Sequence, residues 1–266
     1  MKFVDKAVFL EKEKILVITD LHLGYEQGLQ EQGVFIPKTQ YKKTLEDLNK
    51  IFNEINKNKS VNKKTAGNKE NKLGDKSDFS FNNKKIKEII ILGDLKHEFS
   101  GVSQQEWKEV LDLLGYLKTK TKKIILIKGN HDNYLVNVVK KQGVKLKDYY
   151  IKEVGKEKVC FIHGYKLFSE CLDKSIKTII MGHLHPSISI IKNVKKEIYK
   201  CFLVGKFKGK EIVILPSFFP LVEGADITIE DTNLAFKLDL KNFEVYVPIP
   251  GKVLKLGKVK EIGKLV

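Results

Sequence analysis

The sequence contains no arginine, and all 49 of its Lys and Arg residues are lysines. The chain therefore lacks the guanidinium group, whose planar fork binds a phosphate through two parallel hydrogen bonds. Any phosphate must instead be bound by lysine side chains, imidazoles, backbone amides or metal ions. The formal net charge of +16 favours binding to a polyanion such as nucleic acid, although a solvated lysine-rich surface accounts for the charge equally well.

Cysteine is scarce, with three residues at unrelated spacings, Cys160, Cys171 and Cys201. The chain has no Cys-x-x-Cys pair, which argues against a structural zinc site. The odd number of cysteines predicts reduced, buried side chains in a cytoplasmic protein. The first residues show no signal-peptide pattern, and no apolar run approaches the ~20 residues of a membrane-spanning helix. We therefore predict a cytoplasmic location and no membrane association.

Apolar residues are few at residues 56–84, where lysine, asparagine, serine and glycine dominate. Such a segment cannot bury enough apolar surface to offset the entropy lost on ordering. Between Asn56 and Lys87 there are ten lysines against three acidic residues. We predict one domain at residues 1–250, with a mobile basic insertion at about 56–84, and a C-terminal tail at 251–266.

Hydrophobic patterns predict strands and helices in both halves of the chain. Residues 3–10 and 144–154 are each predicted to form one strand, the latter in a second sheet. After Pro186, alternating apolar residues predict further strands at 201–204, 211–215, 226–229, 234–238 and 243–247. Helical spacing of apolar residues from Tyr41 to Ile55 predicts a helix. Ser103 and Glu106 have the spacing of a capping box, which predicts the start of another helix.

All six histidines follow shortly after an apolar run that predicts a buried strand. A single histidine in this position is most simply a packing or surface residue, but that interpretation explains six poorly when none lies elsewhere. Open α/β sheets bind their ligands at the carboxyl ends of strands, so we expect these side chains to converge. The six are His22, His97, His131, His163, His183 and His185.

Oxygen-bearing side chains accompany these histidines. Imidazole nitrogen together with aspartate and asparagine oxygen is a ligand mixture that suits manganese, iron, zinc or cobalt. Two metals that share one carboxylate would need seven ligands, and such a pair lies about 3.5–4 Å apart and clamps both oxygens of an in-line phosphoryl displacement. The seven candidates are Asp20, His22, Asp94, Asn130, His163, His183 and His185.

Two pairs of these candidates lie two residues apart, Asp20 with His22 and His183 with His185. Alternate residues of an extended segment point to the same side. We therefore expect Asp20 and His22 to reach one metal, and His183 and His185 to point to one side of the chain. Gly182, which precedes the second pair, suits a tight backbone path beside a metal.

In their order along the chain, these motifs resemble those of the calcineurin-like metallophosphoesterase superfamily. The segments Asp20-Leu21-His22-Leu23-Gly24 and Gly93-Asp94-Leu95-Lys96-His97-Glu98-Phe99 are similar to one branch, the archaeal phosphoesterases related to SbcD-type nucleases and to ligase-associated phosphoesterases. The likeness continues through Leu215-Pro216-Ser217. It implies an α/β (α+β) fold, a four-layer α/β/β/α sandwich of two mixed sheets flanked by helices.

The resemblance also implies how the ligands divide between the two metals. Manganese is the favoured ion, with iron, zinc, nickel, cobalt or magnesium as alternatives. Metal one would take Asp20, His22, Asp94 and His185. Metal two would take Asp94, Asn130, His163 and His183.

The resemblance leaves His131 outside both ligand sets. We expect His131 to bind the phosphoryl group or to protonate the leaving group, and Asp132 to hold the His131 ring in one tautomer. Asn130 and His97 are the expected substrate-binding residues.

Three functions are compatible with this site. The first is a two-metal phosphodiesterase, including a nuclease on DNA or RNA, in which a metal-bridging hydroxide attacks phosphorus. The second is a phosphomonoesterase that acts on a small molecule or nucleotide, and the third is a non-catalytic interaction module on the same fold. Seven competent ligands favour catalysis. The lysine excess favours nucleic acid, whereas the lack of arginine and the short chain argue against a nuclease with an ATPase partner.

Overall fold

The computed structural model describes residues 1–57, 86–192, 195–229 and 236–262. The predicted basic insertion at about 56–84 lies outside the described residues, apart from Asn56 and Lys57, which end a helix. Within the described ranges, every helix is too short or too polar to cross a membrane.

The first sheet has six strands that neighbour one another in chain order. They are β1 (Lys2–Val4), β2 (Ala7–Leu10), β3 (Ile15–Ile18), β4 (Glu88–Ile91), β5 (Ile124–Ile127) and β6 (Lys145–Lys147). Strands β1 to β3 are antiparallel, and β3 to β6 are parallel. The carboxyl ends of β3, β4 and β5 therefore lie at the same edge, where the residues that follow them can meet.

Helices cover the outer face of this sheet. They are α2 (Gln40–Lys57), α3 (Gln104–Lys120) and α4 (Val136–Lys141), whereas α1 (Tyr25–Glu31) follows the loop after β3. Buried leucines and isoleucines of α2 and α3 pack against Leu16, Ile89 and Leu126 of the sheet. The start of α3 is the predicted capping box, because the Ser103 side chain accepts from the Glu106 amide and the Glu106 carboxylate accepts from the Ser103 amide.

The second sheet is mixed and has seven strands. They are β7 (Tyr149–Val154), β8 (Glu157–Ile162), β9 (Ile176–Met181), β12 (Phe202–Phe207), β13 (Lys210–Ile214), β15 (Glu244–Ile249) and β16 (Lys252–Lys258). Their spatial order is β16-β15-β12-β13-β9-β8-β7, with β8, β9 and β13 parallel. A small sheet joins β10 (Pro186–Lys192), β11 (Lys195–Lys200) and β14 (Ala225–Asp226), and helix α5 spans Val259–Ile262.

The two large sheets pack face to face through an apolar interior. Val17, Ile90 and Ile125 point into it from the first sheet, and Phe161 and Ile180 point into it from the second. The residues between them on β3, β4 and β5 face the helices instead, because successive side chains of a strand point to opposite faces. Each such side chain stabilises the fold by about 1.5–3 kcal/mol when fully buried, so this interior fixes the position of both sheets.

The predicted α/β fold with two mixed sheets is confirmed, whereas several strand boundaries are wrong. Residues 3–10 form two strands, because a turn at Asp5 and Lys6, with φ of 50° at Asp5, reverses the chain. Residues 144–154 contain β6 in the first sheet and β7 in the second. Strands β10 and β11 were not predicted. The strand predicted at 234–238 falls partly outside the described residues, and its described part is not a strand.

The cysteines also differ from the prediction. Cys160 on β8 and Cys171 form a disulfide with their Cα atoms 5.6 Å apart, while Cys201 is free and buried. A short 3₁₀ helix at Ser169–Leu172 brings Cys171 beside the strand. The prediction of three reduced cysteines is therefore wrong for this pair, and the cysteine count no longer supports the cytoplasmic location inferred from it.

Candidate metal centre

Residues that follow five parallel strands converge at one edge of the two sheets. They form two groups of candidate ligands, and within each group one ligand atom from every residue lies within 4.8 Å of the others. Asp94 belongs to both groups. The first group is Asp20, His22, Asp94 and His185. The second group is Asp94, His163 and His183.

The first group has imidazole nitrogens and carboxylate oxygens facing one another. His22 Nε2 lies 3.3 Å from His185 Nε2 and 3.7 Å from Asp94 Oδ2. His185 Nε2 also lies 3.3 Å from Asp20 Oδ1. Asp20 and His22 come from the first sheet and His185 from the second, so this group lies across the gap between the sheets.

The second group is arranged around His163. Its Nε2 lies 3.2 Å from Asp94 Oδ2 and 3.1 Å from His183 Nδ1. Asn130 Oδ1 is 3.1 Å from the same nitrogen, so the structure also brings Asn130 to this group. His163 Nδ1 contacts the Leu92 carbonyl oxygen at 2.6 Å. When the ring is neutral, this contact places its proton on Nδ1 and leaves Nε2 facing the other ligands.

The backbone at these residues is not extended, contrary to the prediction for the two pairs. Left-handed φ values occur at Asp20 (51°), His22 (47°), Asp94 (47°), His183 (67°) and His185 (50°). This conformation is costly for residues other than glycine, although aspartate and histidine adopt it more readily than most. Hydrogen bonds hold it here, since the Asp20 amide donates to the Gly93 carbonyl at 3.1 Å and the His183 amide to Asp20 Oδ2 at 3.0 Å.

Two glycines allow the loops to approach this closely. A Cβ atom on Gly129 would lie 2.2 Å from Asp94 Oδ1, and one on Gly182 would lie 2.0 Å from Thr19 Oγ1. Both distances are far shorter than van der Waals contact. The predicted tight path at Gly182 therefore has a steric cause, which is the packing of the His183 loop against Thr19 and Asp20.

The imidazoles differ in their readiness to bind a cation. Burial lowers the pKa of His22 to about 3 and that of His183 to about 4, more than the nearby carboxylates raise them. Neutral rings of this kind keep a lone pair for a metal. Burial also acts on His163, but there Asp94 and Asp20 prevail and raise the pKa to about 9.

The donors fit a pair of divalent cations. Buried Asp20 Oδ1 and His22 Nδ1 have no hydrogen-bond partner among the described residues. Burial raises the pKa of Asp20, but His185 and His163 lower it by more than burial raises it. The net pKa is below the ordinary value, so this carboxyl stays ionised. A buried carboxylate oxygen without a donor is unfavourable unless a cation binds it. Mixed imidazole, carboxylate and amide donors suit borderline divalent metals.

His131 and Asp132 are close in sequence but have different partners. The His131 amide donates to Asp94 Oδ1 at 3.0 Å, and its ring Nδ1 contacts the His97 carbonyl oxygen. The Asp132 carboxylate accepts from the Gly129 and Leu95 amides, both at 2.9 Å. The predicted pairing of Asp132 with the His131 ring is therefore wrong, because this carboxylate ties together two backbone loops.

His97 lies at the rim of the first group. Its ring centroid is 5.4 Å from that of His22 and 5.5 Å from that of His131, and the three histidines form a further set of mutually close ligand atoms. Burial, reinforced by His131, lowers the pKa of His97 to about 4. His97 is therefore a neutral ring beside the predicted position of the phosphoryl group.

Sequence reasoning missed one loop of the site. The segment after β13 places Phe219 beside the first group, with its ring 5.3 Å from His22 and 4.9 Å from Tyr25. The Phe219 amide donates to the Asp20 carbonyl at 3.0 Å. Like the histidine loops, this segment follows a parallel strand. That position is the signal that could have identified it, although the segment contains no histidine.

Two mixed sheets with histidine and carboxylate side chains gathered at their strand ends define a class of metal-binding α/β proteins. Residues 13–247 match the family model for calcineurin-like phosphoesterase. The chain therefore belongs to the calcineurin-like phosphoesterase family, as its motifs predicted, and to the metal-dependent hydrolases. A comparison with curated protein sequences found no match.

Solved structures with similar folds include a nuclease MPE from Pseudomonas putida. It is 17% identical with a TM-score of 0.59, and the match covers 96% of this chain and 93% of the other. A Vps29 mutant from Entamoeba histolytica is 16% identical, with coverages of 91% and 96% and a TM-score of 0.39. A predicted phosphoesterase from Streptococcus pneumoniae is 14% identical, with coverages of 92% and 97% and a TM-score of 0.30. The first of these shows the shared fold.

Proposed function

We propose that this protein is a phosphodiesterase that uses two divalent cations, with manganese favoured, and that its substrate is nucleic acid. The observation that carries the proposal is the sharing of Asp94 by two ligand groups. The first cation would be held by Asp20, His22, Asp94 and His185. The second would be held by Asp94, Asn130, His163 and His183. When bound, such a pair activates a water and neutralises charge on the phosphoryl oxygens.

The Asp94 carboxylate suits this shared position. Burial raises its pKa, but the neighbouring His163 and His22 lower it well below the ordinary value for aspartate. Asp94 Oδ2 faces His163 at 3.2 Å, while Asp94 Oδ1 accepts from the His131 amide at 3.0 Å. The carboxylate is thus ionised and fixed between the groups, which fits it to bridge two cations.

His131 is proposed to act on the substrate. Its Nδ1 donates to the His97 carbonyl oxygen, which leaves Nε2 for the phosphoryl group or the leaving oxygen. When the ring is protonated, Nε2 can donate its proton to that oxygen as the phosphorus–oxygen bond breaks. General acid catalysis by a positioned side chain contributes about 10²–10⁴-fold in rate.

Nucleic acid is the proposed substrate because of charge. A net charge of +16 carried by lysine attracts a polyanion without any need for base recognition. The Pseudomonas putida protein with the same fold is named a nuclease, which agrees with this choice. A monoester dianion carries only two charges and would gain less from this excess than a polyanion does.

A parallel assay tests the function. The purified protein with manganese is given bis(p-nitrophenyl) phosphate, p-nitrophenyl phosphate and single-stranded DNA, with Asp94→Asn as the control. Hydrolysis of the diester and the DNA, abolished in the control, supports the proposal. Hydrolysis of the monoester alone would replace it with a phosphomonoesterase, and metal binding without hydrolysis of any substrate would indicate an interaction module.

A further inference from the structure

Phe99 is an apolar ring that lies at the site and yet faces water. It exposes 56% of its surface, and its ring centroid lies 5.6 Å from that of His131 at an interplanar angle of 88°. The proposed acid for the leaving group therefore has an exposed aromatic ring as its neighbour.

Hydrogen bonds hold the loop at the residues before and after Phe99. The Glu106 carboxylate accepts from the amides of His97, at 2.9 Å, and Glu98. Lys96 is fully buried, and its Nζ donates to the Glu98 carbonyl. On the other side, Glu98 Oε1 accepts from the amide of Ser100 at 3.0 Å and from its hydroxyl at 2.7 Å.

This exposure is therefore built into the loop. Buried charged groups and capping hydrogen bonds fix the backbone on which the ring is presented. A loop that already holds its binding conformation loses little conformational entropy when a ligand arrives. An exposed ring on such a backbone suits binding of a flat partner.

Other rings continue from Phe99 into the site. His131 stacks on His97 at 5.5 Å and 29°, and His97 meets Tyr25 edge-on at 4.6 Å. Tyr25 in turn contacts Phe219 at 4.9 Å. Phe99 is thus the outermost ring of a series that ends at the first ligand group, and a partner stacked on it would lie next to the scissile phosphate.

We propose that Phe99 stacks on the base of the nucleotide on the leaving-group side, so that the site selects single-stranded nucleic acid over small phosphoesters. The inference rests on the proposed function for the position of the phosphate. Stacking accepts any base, because every base has a π-face. It also suits a chain without arginine, in which lysine can attract the backbone but offers no planar group for the base.

Binding measurements test this inference without catalysis. Fluorescence anisotropy in EDTA would follow a labelled oligothymidylate and an abasic strand of equal length, with the full chain as wild type, Phe99→Ala and Phe99→Trp. Phe99→Ala should weaken oligothymidylate binding about 5- to 150-fold, the range expected when a stacking ring is removed. It should leave abasic binding unchanged, and Phe99→Trp should retain wild-type affinity for the oligothymidylate.

Phe35→Ala is the matched control, because Phe35 exposes 83% of its surface on the segment after α1 and should change neither affinity. Equal oligothymidylate binding by Phe99→Ala and wild type would overturn the inference, as would equal losses on both strands, which would indicate a purely structural role. If the parallel assay showed no manganese-dependent hydrolysis, the proposed function would fail, while the anisotropy comparison would still decide whether Phe99 stacks on a base.

Discussion

At the scale of single residues, Asp132 joins two loops of the centre, because its carboxylate accepts from the amides of Gly129 and Leu95, both at 2.9 Å. Six histidines could be recognised as one set because each follows a predicted strand. The partners of the Asp132 carboxylate could not be recognised, because the amides that donate to it are brought near by the folding of two loops. Its carboxylate binds the amide of Leu95, which lies 37 residues away in the chain, and no local pattern encodes that approach.

The proposed role of His131 leads to a prediction about turnover. His131→Asn should lower kcat on a phosphodiester about 10²–10⁴-fold, because a proton donor to the leaving oxygen is lost. Metal content should stay at the wild-type value, since the ring of His131 lies outside both groups that share Asp94. Steady-state kinetics and elemental analysis of the purified protein measure the two quantities. A variant that loses metal together with activity would contradict this role.

At the scale of elements, local signals predicted α2 and α3 correctly but missed α1, and they predicted strand partners poorly. The capping box at Ser103 marked the start of α3 correctly, because both of its partners lie within three residues. The crossing of the chain from β6 to β7 was missed, because the strand pattern continues through Asp148 while the chain changes sheets. Strand patterns record which side chains are buried but not which sheet receives the strand.

One buried carboxylate attaches a helix to the first sheet and makes that attachment sensitive to pH. Asp47 on α2 accepts from Lys6 in the β1–β2 turn at 2.7 Å and is flanked by Lys43 and Lys50. Burial raises the pKa of Asp47, but Lys6 and its neighbours lower it to about 2. A lowered pKa contributes stability that is present above about pH 4, the unfolded value, and is lost as the pH falls through about 2.

Asp47→Asn should therefore destabilise the protein at pH 7 by about 1–2 kcal/mol, after allowance for solvent screening of the exposed lysines. At pH 2 most of this difference should be gone. Urea unfolding of both proteins at the two pH values gives the comparison. Asp112→Asn, on the exposed face of α3, is the control and should stay within about 0.5 kcal/mol of wild type. A difference for Asp47→Asn that is as large at pH 2 would contradict the assignment.

A partly buried lysine holds the loop that carries Phe219. Lys200, at the end of β11, donates from Nζ to the Ser217 carbonyl at 3.3 Å, to the Ser217 hydroxyl at 3.0 Å and to the Phe219 carbonyl. Burial, with some help from Lys6, lowers the pKa of Lys200 to about 7. Lys200 was not recognised from the sequence, because it is one of 49 lysines and no local pattern distinguishes a lysine whose ammonium group binds backbone carbonyls.

Lys200→Met should leave these loop carbonyls without their donor and destabilise the fold by about 1–3 kcal/mol. Because Phe219 packs on His22, we also expect a lower kcat/KM on the diester. Thermal unfolding and steady-state kinetics provide the readouts. Lys206→Met, at an exposed position of β12, should match wild type in both. The proposed role fails if Lys200→Met unfolds at the wild-type temperature.

At the scale of the whole molecule, the centre lies where two separately built sheets meet. Asp20, His22, Asp94 and Asn130 follow strands of the first sheet, and His163, His183 and His185 follow strands of the second. The sequence predicted this pool of seven because histidines and oxygen-bearing side chains follow the predicted strands, whereas the family resemblance implied only how the pool divides between two metals. It could not show that Phe99 would remain exposed beside the centre, because exposure depends on how Lys96 and Glu106 fix the loop.

Because the ligands come from both sheets, metal binding should raise the free energy of unfolding of the whole protein. A cation that binds the folded protein but not the unfolded chain stabilises it by about 2.7 kcal/mol at a concentration 100 times its Kd. For a chain of this size, about 1 kcal/mol shifts the unfolding temperature by about 2–4 °C. Manganese should therefore raise the unfolding temperature of EDTA-treated protein by about 5–10 °C per occupied site.

Calorimetry with and without manganese measures this shift, and Asp94→Asn supplies the comparison. Because Asp94 is common to both groups, its replacement should remove most of the manganese-dependent increase. Ser100→Ala, at an exposed residue on the Phe99 loop, should keep the full increase. An equal increase in Asp94→Asn and wild type would show that manganese binds elsewhere, and the two groups would then lose their assignment as a metal centre that joins the sheets.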